Sequence, residues 1–193
     1  MSRFFGLDLL AAPGRVFTPR PATERLVEAA LALAGDGPCR IADAGTGAGA
    51  IAVAVAVHAP GAEVWATDTS PAAVALARAN AKRHAVAGRV HVMAGDLLAP
   101  VGGPLDLVLA NLPYLPSTPA PLPEYEDEPP DAVYAPGDGL DPYRRLLVEA
   151  ERRLAPGGVV LLQFQGAVFE GERRRLDALL GQLERAQRLP AAD

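Results

Sequence analysis

The stretch Leu105–Tyr114 reads L-D-L-V-L-A-N-L-P-Y, and it decides the fold predicted for this chain. Its first half is a short aliphatic run of the kind that forms a buried parallel strand. Pro113 cannot donate a hydrogen bond to a strand ladder, and it favours an extended backbone at Leu112, so the strand ends here. Asn111 is therefore predicted at the carboxyl edge of a sheet, where open α/β sheets bind their ligands.

The residues that follow this strand are suited to bind a planar NH₂ group. The side-chain oxygen of Asn111 and the carbonyl of Leu112 can each accept one N–H, and the ring of Tyr114 can lie against the plane. An ordinary turn around Asn111 and Pro113 is the alternative interpretation, since a motif of four residues also arises by chance. The rest of the chain has to decide between these two interpretations.

The composition predicts one globular domain of 193 residues, because half of the residues are hydrophobic and 21% are charged. No apolar run reaches the ~18 residues of a membrane span, and the start lacks the pattern of a secretory signal. Cys39 is the only cysteine, so we expect no disulfide, no metal site built from several thiolates and a cytoplasmic location. The net charge of -5 argues against a large nucleic-acid footprint.

Predicted strands and helices alternate along the chain. The predicted strands are Arg40–Ala44, Glu63–Thr67, Arg89–Met93, Leu105–Ala110 and Gly158–Phe164. The predicted helices are a segment that begins at Pro21, then Ala50–His58, Pro71–His84, Pro142–Leu154 and a last one from about Glu170 to Arg188. This alternation predicts an α/β fold with a doubly wound parallel sheet flanked by helices. We expect residues 1–20 to form an arm or hairpin and residues 21–193 to form the main domain.

The first three predicted strands each end in a glycine-rich or acidic segment. The loop Asp43-Ala-Gly45-Thr46-Gly47-Ala-Gly49 leads directly into a helix, so its backbone can approach a ligand closely and the helix offers free N–H groups. Asp68 ends the second strand, where a carboxylate can bind both hydroxyls of a ribose. Asp96, after the third strand, can accept from an adenine amine or cap a turn. These sites together predict an adenosine-containing cofactor, although the loop alone also fits a dinucleotide.

Longer motifs carry a resemblance to a known family. They are Thr18-Pro-Arg-Pro-Ala-Thr-Glu24, Asp43–Gly49, Asp68, Gly95-Asp96, Asn111-Leu-Pro-Tyr-Leu-Pro116 and Glu128-Pro-Pro-Asp-Ala-Val-Tyr-Ala-Pro-Gly-Asp-Gly-Leu140. With these motifs the chain resembles the HemK-like protein-glutamine N(5)-methyltransferases, which modify peptide-chain release factors. That family belongs to the class I S-adenosylmethionine-dependent methyltransferases, which have a Rossmann-like fold. The resemblance runs from about Phe4 to Arg175.

The resemblance implies S-adenosylmethionine as the cofactor and a protein glutamine, in a release factor, as the substrate. It implies that these residues hold the cofactor, the first five of them at its methionine end: Asp43, Gly45, Thr46, Gly47, Gly49, Asp68 at the ribose, Asp96 and Leu97 at the adenine, and Asn111. It implies that the glutamine amide is bound and activated by Asn111, Leu112, Pro113 and Tyr114. We expect no membrane partner, consider nucleic acid the less favoured substrate, and leave a homodimer open.

The sequence departs from the family pattern at several positions. Leu112 replaces the second residue of an N-P-P-Y motif, which keeps the carbonyl and loses some rigidity, and Ala22 replaces the first Glu of P-R-P-E-T-E. Gln163 and Gln165 stand where the family favours Glu and Gly. We also expect the family's helical N-terminal domain and the terminal pair of strands to be absent.

Three other functions fit parts of the sequence. A methyltransferase for exocyclic amines of RNA or DNA would use the same geometry at Asn111. A nicotinamide-dependent dehydrogenase would share the glycine loop and Asp68, but it does not explain Asn111–Tyr114. A cofactor-binding protein without activity is the third. The Pro-rich and acidic segment Leu115–Asp141 is predicted to be a substrate lid or a connector.

Overall fold

The computed structural model of this protein describes residues 1–117 and 122–164. The strands in this part of the chain are β1 (Ser2–Phe4), β2 (Leu7–Leu9), β3 (Cys39–Ala44), β4 (Ala62–Asp68), β5 (Val90–Ala94), β6 (Leu105–Ala110), β7 (Leu115–Pro116), β8 (Tyr134–Ala135) and β9 (Leu154–Leu162). The helices are α1 (Glu24–Ala34), α2 (Ala50–His58), α3 (Pro71–Arg83) and α4 (Asp141–Glu151), with short 3₁₀ turns at Pro21–Thr23, Pro123–Tyr125 and Pro130–Ala132.

Five parallel strands form the central sheet, in the order β5-β4-β3-β6-β9. This arrangement confirms the predicted doubly wound α/β fold. The strand order reverses between β3 and β6, so the crevice at their carboxyl ends is the switch point where such sheets bind ligands. Ala44 of β3 is paired with Ala110 of β6. The next residues along the two strands, Gly45 and Asn111, therefore emerge side by side.

Hydrophobic cores cover both faces of the sheet. On one face, α1, α2 and the hairpin of β1 and β2 pack together, and α2 is buried along Ala50–Ala56 because these side chains are all small or aliphatic. On the other face, α4 buries Tyr143, Leu146 and Ala150 against β3 and β6. Burial of a side chain such as Leu146 contributes about 1.5–3 kcal/mol to folding. Both faces are therefore covered, as an all-parallel sheet requires.

Within residues 1–20, for which an arm or hairpin was predicted, the strands Ser2–Phe4 and Leu7–Leu9 form a β-hairpin. β1 and β2 pair antiparallel, and the turn between them is Phe5-Gly6. The N–H of Phe5 donates to a carboxylate oxygen of Glu24 at 2.7 Å, which fastens the hairpin to the start of α1. Asn80 of α3, fully buried, holds the end of the hairpin through both the N–H and the carbonyl of Leu10. The arm is thus attached to two helices of the main fold.

The last described strand differs from its prediction. β9 spans Leu154–Leu162 rather than Gly158–Phe164, and α4 ends at Glu151. Leu154 pairs with Leu105, so it belongs to the strand, and the register shifts before Val159 pairs with Leu107. Gly157 and Gly158 lie within this irregular part of β9. Because glycines are untypical of a strand interior, the sequence did not indicate that the strand begins before them. The helix predicted from about Glu170 to Arg188 lies outside the described residues.

Within residues 1–117 and 122–164, no helix is both long and apolar enough to cross a bilayer.

Candidate functional site

A cavity of about 290 Å³ opens at the switch point of the sheet. It brings together most of the residues that the sequence predicted for the cofactor and for the substrate. The predicted residues that line it are Gly45, Thr46, Gly47, Asp68, Asp96, Leu97, Asn111, Leu112, Pro113 and Tyr114. Asp43 and Gly49 do not line it: Asp43 is fully buried behind the glycine loop, and Gly49 begins α2 against Ala77 of α3.

The glycine loop lies directly against the segment Asn111–Tyr114. Gly45 has a φ of +72°, which residues with a side chain rarely adopt, and a Cβ at this position would lie 2.5 Å from Cδ2 of Leu112. Only glycine therefore lets Leu112 pack onto the loop. The loop is also held from behind, because the buried Asn80 side chain donates to the carbonyl of Ala48 at 2.8 Å. The glycine loop and the segment Asn111–Tyr114 therefore adjoin at Gly45 and Leu112.

Asp43 organises the loop from inside the protein. One of its oxygens accepts from the hydroxyl of Thr46 at 2.6 Å and from the N–H of Ala52 in α2 at 3.2 Å. The other oxygen has no hydrogen-bond partner among the described residues. Because burial disfavours the charged carboxylate, the pKa of Asp43 rises from 3.8 to about 6, with Thr46 and Ala52 opposing the rise and the charge of Asp68 adding to it.

The raised pKa of Asp43 predicts a pH-dependent stability. Between pH 4 and 6 the folded chain keeps a proton at Asp43 that the unfolded chain releases, so the free energy of unfolding falls as the pH rises through this window. We expect a fall of roughly 3 kcal/mol from this residue, followed by a plateau. Urea unfolding at several pH values should show that Asp43→Asn lacks this component. Parallel stability curves for parent and variant would contradict the assignment.

Asp68 connects the loop to α3 and faces the cavity. Its two carboxylate oxygens accept from the N–H of Gly47 and from the N–H of Ser70, each at 2.9 Å. Each oxygen keeps a further lone pair, because a carboxylate offers about four acceptor sites. Asp68 is only partly buried and lines the cavity beside the glycine loop. It is thus placed to accept hydrogen bonds from a bound ligand.

Asp96 has a partner that the sequence did not reveal. It forms an ion pair with Arg145 of α4, and both side chains are about half exposed and line the cavity. Next to it, Leu97 has a positive φ of +46°, and its carbonyl accepts from the buried hydroxyl of Thr67 at 2.6 Å. Sequence reasoning missed Arg145 because it lies 49 residues away in a helix that appeared to serve only packing. The carboxylate of Asp96 is therefore already paired with a cation at the cavity.

Thr23 orients the side chain of Asn111. The Asn111 amide nitrogen donates to the Thr23 hydroxyl oxygen at 3.2 Å, and Thr23 itself is buried. This contact assigns the side-chain oxygen of Asn111 as the acceptor that is left for a ligand, and no described residue donates to it. Thr23 was visible in the sequence only as a member of the motif Thr18–Glu24. Its role depends on a contact across 88 residues.

The backbone of Leu112 is held by the hydroxyl of Tyr143. The Leu112 N–H donates to this hydroxyl at 2.9 Å, and the hydroxyl lies 3.0 Å from the Leu112 carbonyl and 2.9 Å from that of Gln163. The rings of Tyr114 and Tyr143 both contact Phe164, with centroid distances of 5.8 and 4.4 Å. The segment Asn111–Tyr114 is therefore supported from α4 and from the end of β9.

The arm and the segment after β7 form one wall of the cavity. The buried carboxylate of Glu128 accepts from the N–H of Thr18 at 2.9 Å and from the Arg20 guanidinium at 3.1 Å. The guanidinium also lies over the rings of Phe17 and Tyr125, 5.5 and 5.3 Å from their centroids. The described part of the segment Leu115–Asp141 is therefore packed onto the arm and does not extend into solvent. A lid over the cavity would need this packing.

The residues of the cavity fit an adenosine cofactor. Gly45 and Gly47 line the cavity without a side chain, so a ligand can approach the peptide units of the loop closely. Asp68 and Asp96 offer carboxylate acceptors at the ends of two neighbouring strands, next to this loop. Asn111 and Leu112 then add amide and carbonyl acceptors on the far side. This donor and acceptor set matches a ligand with a ribose, an amine and a neighbouring NH₂ group.

Comparison with known proteins decides the family. The family model described as "Methyltransferase small domain" matches residues 21–118, just over half of the chain. The chain belongs to the methyltransferase small-domain family. The matched residues include the glycine loop and Asn111–Tyr114, so the cavity lies within the part of the chain that this family shares.

Relatives of this methyltransferase chain carry a more specific name. It is 45% identical to a "Release factor glutamine methyltransferase" from Moorella thermoacetica, over 83% of this chain and 58% of the relative. It is 44% identical to a protein of the same name from Deinococcus radiodurans, over 80% of this chain and 56% of the relative. The resemblance inferred from the motifs is confirmed, and the chain spans little more than half the length of the curated relatives it matches.

Solved structures show the same fold. The ribosomal protein L11 methylase from Lactobacillus delbrueckii subsp. bulgaricus matches with a TM-score of 0.61 and 24% identity, over 88% of this chain and 72% of that one. An RNA methyltransferase from Salinibacter ruber, crystallised with S-adenosyl-L-homocysteine, matches with a TM-score of 0.51 and 26% identity, over 76% of each chain. The Rossmann-like methyltransferase fold expected from the sequence is confirmed.

Proposed function

We propose that this chain transfers a methyl group from S-adenosylmethionine to the side-chain amide nitrogen of a glutamine in a substrate protein. We propose that this substrate is a peptide-chain release factor. One observation carries the proposal: the oxygen of Asn111, oriented by Thr23, and the carbonyl of Leu112 lie beside the glycine loop at one crevice. The names of the curated relatives support the substrate. A cytoplasmic location fits such a partner.

In this proposal, one set of residues binds the cofactor. The glycine loop and Asp43 would hold the methionine end of the cofactor, Asp68 its ribose, and Asp96 with Leu97 its adenine. When bound, S-adenosylmethionine supplies an electrophilic methyl group on a sulfonium.

We also propose that residues 1–20 act as an arm that completes the cavity and that residues 21–193 form the methyltransferase domain.

The residues of the chain activate a poor nucleophile. An amide nitrogen is weakly nucleophilic because its lone pair is delocalised into the carbonyl. If Asn111 and Leu112 each accept one N–H of the glutamine amide, they localise this lone pair and stabilise the positive charge that develops on nitrogen. Tyr114 and Pro113 hold the amide plane in place, and positioning of this kind supplies much of the remaining acceleration. Methyl transfer would leave the cofactor as its neutral thioether, and the methylated nitrogen would then release one proton to water, so no dedicated general base is needed in this scheme.

Asp68→Ala tests the cofactor site. Loss of a charged acceptor is expected to weaken S-adenosylmethionine binding by ~1–3 kcal/mol, because the carboxylate holds the ligand and the N–H of Gly47 together. Isothermal titration calorimetry measures the effect, with Asp8→Ala as the control. Asp8 is an exposed acidic residue whose ion pair with Arg3 is long, 3.9 Å. Equal dissociation constants for Asp68→Ala and parent would remove Asp68 from the site.

A labelling experiment tests the class of substrate. The protein is incubated with a cell extract and S-adenosylmethionine that carries a labelled methyl group, and protein is then separated from nucleic acid. The proposal predicts label in protein, whereas label confined to RNA or DNA would contradict it and favour the nucleic-acid alternative. Calorimetry on the purified protein tests the dehydrogenase alternative. That alternative requires NAD to bind more tightly than S-adenosylmethionine.

A further inference from the structure

The hydroxyl of Tyr143 is a buried junction between three backbone groups. It receives the N–H of Leu112 and lies within 3.0 Å of the carbonyls of Leu112 and Gln163. A phenol has one proton, so the hydroxyl accepts one hydrogen bond and shares its proton between two carbonyls. Burial raises the pKa of Tyr143, so the hydroxyl stays protonated at every physiological pH. The hydroxyl therefore always has a proton to share between the two carbonyls.

The junction requires a residue other than proline at position 112. The backbone N–H of Leu112 is the donor that Tyr143 receives. A proline at this position would have a fixed φ and no N–H to donate. The hydrogen bond between Leu112 and Tyr143 of α4 thus restrains the backbone at residue 112. A proline ring would provide this restraint by itself.

The ring of Tyr143 supports the other half of the segment. It packs against Phe164 with ring centroids 4.4 Å apart, and Phe164 in turn meets Tyr114 edge-on at 5.8 Å. The residue is fully buried, so neither its ring nor its hydroxyl can contact a ligand in the cavity. Its influence on a bound amide has to pass through Leu112 and Tyr114.

We propose that Tyr143 is the positioning residue for the substrate amide, holding the Leu112 carbonyl by its hydroxyl and the Tyr114 ring through Phe164. The inference rests on the proposed function, since it assigns these groups to a bound glutamine. A shift of an acceptor by a fraction of an ångström lowers a transfer rate steeply, while ground-state binding of the cofactor changes little.

The test compares Tyr143→Phe, Leu112→Pro and the double variant. Tyr143→Phe is expected to lower kcat on a release factor about 10- to 100-fold, with the dissociation constant of S-adenosylmethionine within about twofold of the parent. In the Leu112→Pro background the same change should lower kcat less than about threefold, because the fixed φ of the proline then restrains the carbonyl that the hydroxyl holds in the parent. Equal losses in both backgrounds would contradict the proposal.

Tyr134→Phe is the matched control. Its hydroxyl also receives a backbone N–H, that of Leu122 at 2.7 Å, but Tyr134 does not line the cavity. Removal of this hydroxyl is expected to leave kcat within about twofold of the parent, so a general loss of a tyrosine hydroxyl does not account for the effect. A fall in kcat as large as that of Tyr143→Phe would remove the specific role of Tyr143.

Hydrogen exchange separates this inference from the proposed function. The Leu112 amide should exchange at least about 100-fold faster in Tyr143→Phe, while the Gln163 amide, bonded to Ala110 at 2.9 Å, keeps its rate. An unchanged Leu112 rate overturns the inference. A parent protein that methylates no glutamine overturns the proposed function, and the exchange rates then still decide whether Tyr143 holds the segment. They also decide it if Leu112→Pro does not fold.

Discussion

Asn111→Ala is expected to lower the rate of methyl transfer by roughly two to three orders of magnitude, as removal of one transition-state hydrogen-bond partner does in other enzymes. The side-chain oxygen of Asn111 gains strength as an acceptor when positive charge develops on the amide nitrogen. The variant leaves Asp68, Asp96 and the glycine loop in place. Single-turnover kinetics with saturating cofactor measure the effect on the transfer step directly.

Cofactor affinity is the internal control for Asn111→Ala. The dissociation constant of S-adenosylmethionine should change much less than the rate. A second comparison uses Tyr114, whose proposed role is packing against the amide plane: Tyr114→Phe keeps the ring and should be milder than Tyr114→Ala. If Asn111→Ala turns over at the parental rate on a verified substrate, Asn111 is only a turn residue at the end of β6.

Gly139→Ala is expected to damage both stability and activity. Gly139 has a φ of +85°, and a Cβ there would overlap the carbonyl oxygen of Tyr114 and lie 2.8 Å from its carbonyl carbon. Relief of this clash is expected to move the backbone of the segment Asn111–Tyr114. Backbone strain and overpacking together are expected to cost about 3–5 kcal/mol of unfolding free energy. Urea unfolding measures the loss, and kcat should fall by at least about tenfold.

Gly137→Ala provides the matched control for Gly139→Ala. Gly137 also has a positive φ, +65°, and lies two residues earlier in the same loop, but a Cβ there would have no atom within 4 Å. Only the backbone strain remains, so a loss of about 1 kcal/mol with parental kcat is expected. Similar losses of activity in both variants would show that the loop, rather than its contact with Tyr114, matters.

The sheet and its ligand edge were accessible from the sequence because they follow from local patterns. β6 and α2 were predicted with the bounds that the structure shows. The aliphatic run of β6 and the glycines before α2 are each complete within about ten residues. β9 was placed wrongly at both ends, since its bulge at Gly157 and Gly158 depends on pairing with Leu105 and Leu107. Bulges of this kind have no reliable local pattern.

The residues that orient the site were not accessible, because their partners lie far away in the chain. Thr23 and Tyr143 reach Asn111 and Leu112 across 88 and 31 residues. Tyr143 lies on an apolar face of α4, where the sequence indicates only core packing. The sequence predicts that Leu112 leaves the backbone less rigid than a proline would. Only the structure shows that the N–H of Leu112 is hydrogen-bonded to Tyr143, which restrains this backbone. Contacts of this kind depend on the packing of helices against the sheet.

The most direct test of the proposed function is to locate the transferred methyl group on a purified release factor. The protein is incubated with that substrate and S-adenosylmethionine with a deuterated methyl group, and the digested substrate is sequenced by tandem mass spectrometry. The account predicts one deuterated methyl group on the side-chain nitrogen of a glutamine, formed by the parent and reduced at least about 100-fold with Asn111→Ala. Label on another type of side chain, or equal labelling by Asn111→Ala, would contradict it.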